Sequence, residues 1–191
     1  MITHDQALTL IRAHVKNENI VKHMLALGAV MAALHDKLQP TDGSTRQEWF
    51  IAGLLHDGDY CDEVPADKQG IQITAWAKEA GFIIPDQVAH AMAAHNRSNT
   101  GVEPESFFDW AIFCADSLTG LIVASALVIP SKKLADVKVS SVLKRFRESG
   151  FARGTRREDI ALCQEKLGLS LEEFVSISLT AMQNIAGDIG L

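Results

Sequence analysis

The sequence predicts an all-α fold. Three observations carry that expectation. Apolar residues recur at helical spacing in one segment after another. Capping signals precede several of those segments. No stretch sustains the valine and isoleucine alternation, bounded by hairpin turns, that strands require. At 191 residues, 47% hydrophobic and 22% charged, the chain is expected to form one domain with a proper core. There is no internal repeat, low-complexity tract or clear domain boundary. The segment from about 131 to 191 reads as a helical extension packed on the rest.

Thr3-His4-Asp5-Gln6 is a capping box that opens a helix to about Lys16, with Leu8, Ile11 and Val15 as its stripe. A second helix is expected from about Glu18 to Leu38. On it His23, Leu27, Val30 and Leu34 share one face, so His23 is either a satisfied core histidine or a ligand. After the loop Gln39–Gly43, Ser44 or Thr45 caps a third helix that carries Trp49, Phe50, Ile51, Leu54 and Leu55. A polar loop from Gly58 leads to a helix from about Asp67 to Ala80, ended by Gly81. Pro85-Asp86 suits the first turn of the next helix, which carries His90 and ends near His95-Asn96-Arg97. Five residues separate the two histidines, about 140° around a helix, so they do not share a face. A long apolar helix is expected from about Glu105 to Val128, with Asp116 inside it. Two shorter ones are expected over Val139–Glu148 and Arg156–Leu167, and a last one from the Ser170-Leu171-Glu172-Glu173 box to about Ala186.

The chain is organised around Gly53-Leu54-Leu55-His56-Asp57-Gly58. An apolar helix delivers an adjacent imidazole and carboxylate to a point where Gly58 is expected to let the backbone turn away. Such a pair suits a hard or borderline divalent metal. His4-Asp5 and His35-Asp36 are also His-Asp pairs, but each is accounted for by a helix dipole. Asp116 has Ile112, Phe113, Thr119 and Gly120 as helical neighbours. A buried carboxylate there needs either metal ligation or hydrogen-bond partners. Asp59 is either part of a polar surface loop or close enough to the pair to orient a water.

Formal charge is −6, which does not favour specific nucleic-acid binding by the whole chain. The charge is uneven, with nine Lys/Arg and two acids between Ser131 and Arg157, a local balance of +7. That segment either handles an anion such as phosphate or forms a solvated face. Cys61, Cys114 and Cys163 are widely spaced without a CxxC, which fits a reduced cytoplasmic setting. The N-terminus has no signal-peptide pattern. The most hydrophobic run, Leu118 to Ile129, is about twelve residues and too short to span a bilayer, so no membrane partner is expected.

Leu54-Leu55-His56-Asp57 resembles the signature of the HD-domain superfamily of metal-dependent phosphohydrolases. That pattern has an upstream His, the His-Asp pair and a distant Asp, matched here by His23, His56, Asp57 and Asp116. The runs Ala115–Ile122 and Phe151-Ala152-Arg153-Gly154 with Arg157-Glu158 are similar to a small bacterial and archaeal HDIG-type subgroup. The resemblance extends from about Asn17 to Leu191. It implies a helical bundle of the HD type and one divalent metal ion, with Mn, Fe, Co, Ni, Zn and Mg not distinguished. It also implies hydrolysis of a small phosphorylated substrate, a phosphomonoester or nucleotide-like compound, by a metal-activated water. Asp57 is then expected to contact that water. His95, which matches the family's Ala-His-Asn pattern, would handle the phosphate or leaving group with Asn96 or Arg97. Lys132, Lys133, Arg153, Arg156 and Arg157 are candidate phosphate contacts.

One departure stands out. Gln69 occupies the position where family members often carry a histidine for a second metal, and neutral glutamine is a poor transition-metal ligand. That leaves room for a non-catalytic nucleotide-binding or regulatory module of the same type. A di-iron oxygenase would need more ligands than the sequence offers.

Overall fold

The computed structural model describes residues Met1–Leu191. It is entirely helical: α1 (His4–His14), α2 (Glu18–Leu38), α3 (Arg46–Leu55), α4 (Gln72–Glu79), α5 (Asp86–His95), α6 (Arg97–Thr100), α7 (Phe107–Leu127), α8 (Val139–Arg147), α9 (Arg157–Ala161), α10 (Cys163–Leu167), α11 (Leu171–Asn184) and α12 (Ala186–Ile189). Two 3₁₀ turns, Ala66–Lys68 and Leu134–Asp136, complete it.

The caps set the starts of the main helices. Thr3, Thr45 and Ser170 each accept from the backbone N–H three residues on, while Gln6, Glu48 and Glu173 reach back to the cap N–H. At α7 the same box is built from Ser106 and Asp109. Asp109 is buried and also accepts from Glu105 N–H at 3.0 Å and pairs with His90 Nδ1 at 3.0 Å. His90 therefore braces the entry to α7.

One hydrophobic cluster of 45 buried residues runs from Ile2 to Ile189. The helix α7 lies at its centre, packed against α2, α3, α5, α8, α9, α10 and α11. By length and composition α7 is apolar enough to cross a membrane. Here Phe108, Ile112, Phe113, Leu118, Leu121 and Ile122 are buried against the rest of the bundle. The segment after 131 adds Leu134, Val142, Ile160, Phe174 and Met182 to the same core.

The most extensive pairing is α2 on α3, and glycines allow it. A Cβ on Gly53 would lie 2.7 Å from Leu27 O and 2.8 Å from Gly28 N. A Cβ on Gly28 would meet Phe50 O at 3.2 Å. The two backbones thus touch where a side chain would hold them apart. This contact brings His23 of α2 to the C-terminal end of α3.

Three expected elements differ. Helix α1 stops at His14, because Val15 is extended and Asn17 is needed as the cap of α2. The helix expected from Asp67 is a 3₁₀ turn followed by α4, because Gly70 has φ +89° and cannot continue a helix. The expected Arg156–Leu167 helix is split into α9 and α10 at Leu162, whose N–H bonds Asp159 O, three residues back. Gly58 also has a different reason for being glycine. It does not adopt positive φ; a Cβ there would lie 2.9 Å from Ile73 Cδ1 and 3.0 Å from Leu55 O.

Candidate metal centre

Four helices converge on one cluster. His23 comes from the second turn of α2, and His56 caps α3 with Asp57 directly after it. His95 ends α5, and Asp116 lies midway along α7. His56 is completely buried and His95 nearly so, while His23, Asp57 and Asp116 are partly open on one side. His23 Nε2 lies 3.1 Å from His56 Nε2, 3.0 Å from Asp116 Oδ1 and 3.7 Å from Asp57 Oδ2. His56 Nε2 lies 3.3 Å from Asp57 Oδ2 and 3.8 Å from Asp116 Oδ1. The other Asp57 oxygen, Oδ1, faces His95 Nε2 at 3.4 Å.

The remaining ring nitrogens define the tautomers. His56 Nδ1 donates to Gly53 O at 2.8 Å, and His95 Nδ1 donates to Met92 O. His23 Nδ1 lies 3.0 Å from Thr119 Oγ1, whose own hydroxyl donates to Asp116 O at 2.7 Å. The threonine oxygen is therefore the acceptor for His23 Nδ1–H. Each imidazole is held through Nδ1 and turns Nε2 toward the cluster, the arrangement that outer hydrogen bonds impose on metal-ligating histidines.

This geometry tests whether a cation fits. Two imidazole lone pairs aimed at each other over 3.1 Å, with two carboxylates beside them, repel unless positive charge lies between. Neighbouring donors about 2.1 Å from a divalent ion are about 3.0 Å apart when they subtend a right angle at it. The observed spacings of 3.0, 3.1 and 3.3 Å match that edge. His23, His56 and Asp116 can share one ion, and His56, Asp57 and His95 also lie within ligand range of one another. The donor set is mixed nitrogen and oxygen, suited to a borderline or hard divalent ion. Without a metal, protons carry the compensating charge. Burial raises the Asp116 carboxyl, but the His23 hydrogen bond and charge override it and bring it to about 2. Asp57 is likewise held far below the usual carboxylate range, with burial outweighed by His56 and His95. Burial lowers His23 and His95, yet Asp116 and Asp57 respectively hold them above the ordinary imidazole value.

A polar cavity of about 450 Å³ opens over the exposed side of the cluster. His23 and Asp116 form its base, and Arg153, Gly154, Thr155 and Arg156 form its opposite wall. Part of the basic segment thus faces the cluster. Arg156 Nη2 lies 3.5 Å from Asp116 Oδ2, and its Nε lies 2.8 Å from Asp159 Oδ2. Arg157 shapes this wall without entering it. Its guanidinium donates to the carbonyls of Arg145, Phe146, Glu148, Phe151 and Thr155.

Other expected site residues are engaged elsewhere. Asp59 is fully buried and accepts from Gly70 N–H at 2.8 Å and Ile73 N–H at 2.9 Å. Burial pushes its carboxyl up despite those two amides. It fixes the segment that leads into α4, a positioning role in place of the expected water-orienting one. Asn96 donates to Gln69 O at 3.2 Å and accepts from Asn99. Arg97 pairs with Glu103 at 3.0 Å and lies over the Phe113 ring at 4.7 Å. Lys132 and Lys133 are exposed on the turn after α7 and do not line the cavity. Of the seven expected phosphate contacts Asn96, Arg97, Lys132, Lys133, Arg153, Arg156 and Arg157, only Arg153 and Arg156 line it. Gln69 donates to Val64 O at 3.2 Å.

Two contributors were not anticipated. Thr119 holds His23; its signal was its place one turn after Asp116. Gly70 is the other, because a Cβ there would lie 2.6 Å from Met92 O and 3.1 Å from His95 Cε1. Its absence of a side chain lets the loop close on the His95 ring.

Two predictions arise at this point. Asp59→Ala strands two buried N–H groups and should cost about 2–4 kcal/mol in chemical denaturation. Metal content per folded chain should stay unchanged. Thr119→Val keeps the shape but removes the acceptor for His23. Titration with Mn²⁺ or Ni²⁺ should show affinity weakened about 10–100-fold, with little change in the helical circular dichroism.

Comparison with protein-family models, with curated proteins and with solved structures returned no match. Fold and site therefore define the class: an all-helical protein with a buried His/Asp cluster of metal-binding geometry beneath a basic-walled cavity.

Proposed function

We propose that this chain is an HD-type metal-dependent phosphohydrolase acting on a phosphomonoester or nucleotide-like substrate. The observation that carries the reading is the shared cavity, which has the His23–Asp116 side of the cluster at its base and Arg153 and Arg156 opposite. A divalent ion held by His23, His56, Asp57 and Asp116 would lower the pKa of a water and polarise a phosphoryl oxygen.

The chain's own groups divide the remaining work. Arg153 and Arg156 present guanidinium groups to the cavity, suited to paired hydrogen bonds with phosphate oxygens. Arg156 is already drawn toward the cluster by Asp116, so it orients a phosphate over the base. Asp57 Oδ1 and His95 Nε2, 3.4 Å apart on the other side of the cluster, form a carboxylate–imidazole pair suited to proton transfer. Leu54, Leu55, Ile112 and Ala115 are buried in the core, closing the far side of the site to water. No serine or cysteine nucleophile is needed.

The test is release of phosphate from a panel of phosphomonoesters and nucleotides, in the presence of Mn²⁺, Co²⁺, Ni²⁺ or Mg²⁺. Metal-dependent turnover of at least one compound is expected, with loss on chelation. Metal binding without turnover on any compound would instead favour a regulatory module, the reading that Gln69 supports.

A further inference from the structure

Gly120 is a glycine without a packing reason. It sits in the interior of α7, where alanine would be the more stable choice. A Cβ on it would meet no protein atom within 4 Å. It is exposed, and it borders two cavities at once. One is the polar cavity of about 450 Å³ described above. The other, of about 370 Å³, shares His23 and Gly120 with the first and is walled by Lys22, Val123, Leu127 and Ile189. The side chain of Leu127 is half exposed on that wall. Lys22 is partly buried there and pairs with no carboxylate.

We infer that Gly120 is the floor of one continuous substrate cleft, and that the substrate is an organic phosphate with a body that crosses it. The phosphate occupies the arginine-walled chamber. The body carries an apolar flank against Val123, Leu127 and Ile189, and an anionic or acceptor group that meets Lys22 Nζ. Glycine at 120 leaves the passage open, which explains its place in a helix that would otherwise favour a side chain. This inference rests on the phosphohydrolase reading and deepens it by naming the substrate's shape and charge.

The test uses equilibrium binding with non-hydrolysable probes on metal-loaded protein: inorganic phosphate, phenylphosphonate and 4-carboxyphenylphosphonate. Wild type should bind 4-carboxyphenylphosphonate at least about tenfold more tightly than phosphate, with phenylphosphonate between them. Gly120→Leu should bring that ratio down to about one, with a melting temperature no lower than wild type and metal content unchanged. Lys22→Met should remove the preference for the carboxylated probe over phenylphosphonate. A Gly120→Leu protein with the wild-type ratio, or a wild type without any preference over phosphate, would overturn the inference and leave the phosphohydrolase reading standing. No phosphate or phosphonate binding at all would overturn both.

Discussion

If the chain is the proposed metal-dependent phosphohydrolase, Asp57→Ala is expected to lower kcat/KM by about a thousandfold, roughly 4 kcal/mol of transition-state stabilisation. The size follows from its two oxygens doing different work. Oδ2 lies 3.3 Å from His56 Nε2 and completes the donor set, while Oδ1 faces His95 Nε2 at 3.4 Å. On the proposed reading, alanine would remove a metal ligand and the carboxylate that faces His95 together. The fold should survive, because the side chain accepts no main-chain hydrogen bond. Far-ultraviolet circular dichroism should therefore match wild type while turnover disappears. Asp59→Ala gives the opposite pattern, reduced stability with the metal retained, although the two aspartates are two residues apart.

Gly53→Ala is the second large effect, and it acts through the backbone. The added Cβ would lie 2.7 to 2.8 Å from Leu27 O, Leu27 C and Gly28 N. None of these is the end of a flexible side chain, so α2 and α3 must separate. Overpacking of this kind should cost about 2–4 kcal/mol in a denaturant titration. Because Gly53 O also accepts from His56 Nδ1, the same shift misplaces His56 relative to His23. Metal affinity should fall about 10–100-fold even under conditions where the variant is fully folded. Gly28→Ala makes a useful comparison. Its Cβ would meet Phe50 at 3.2 to 3.4 Å, contacts that a small adjustment relieves, and its effect should be under about 1.5 kcal/mol.

The helices were legible where caps and periodicity agreed. The run from Asn17 to Leu38 combined a capping residue with a long apolar stripe, and α2 spans Glu18–Leu38. Legibility failed where long-range contact decided local structure. Gly70 looked like an ordinary helix residue, and its φ of +89° reflects the approach to Met92 and His95. The grouping of His23, His56, Asp57 and Asp116 was legible through the resemblance to the HD pattern; the apolar helix faces alone said only that His23 and Asp116 need partners. Direction could not be read for charges on turns. Lys132 and Arg153 belong to one basic segment, yet only Arg153 faces the cluster. The partners of Asp59 are illegible for a related reason. Its neighbours in sequence are acidic and polar, whereas its partners are the amides of Gly70 and Ile73.

The most direct test of the central claim is the metal content per chain of protein purified without chelator, by elemental analysis, with Asp116→Ala alongside. The account predicts about one divalent metal ion per wild-type chain and loss of that metal in the variant. A wild-type chain that takes up no metal, even after incubation with Mn²⁺ or Ni²⁺, would contradict it. So would a metal retained in full by Asp116→Ala.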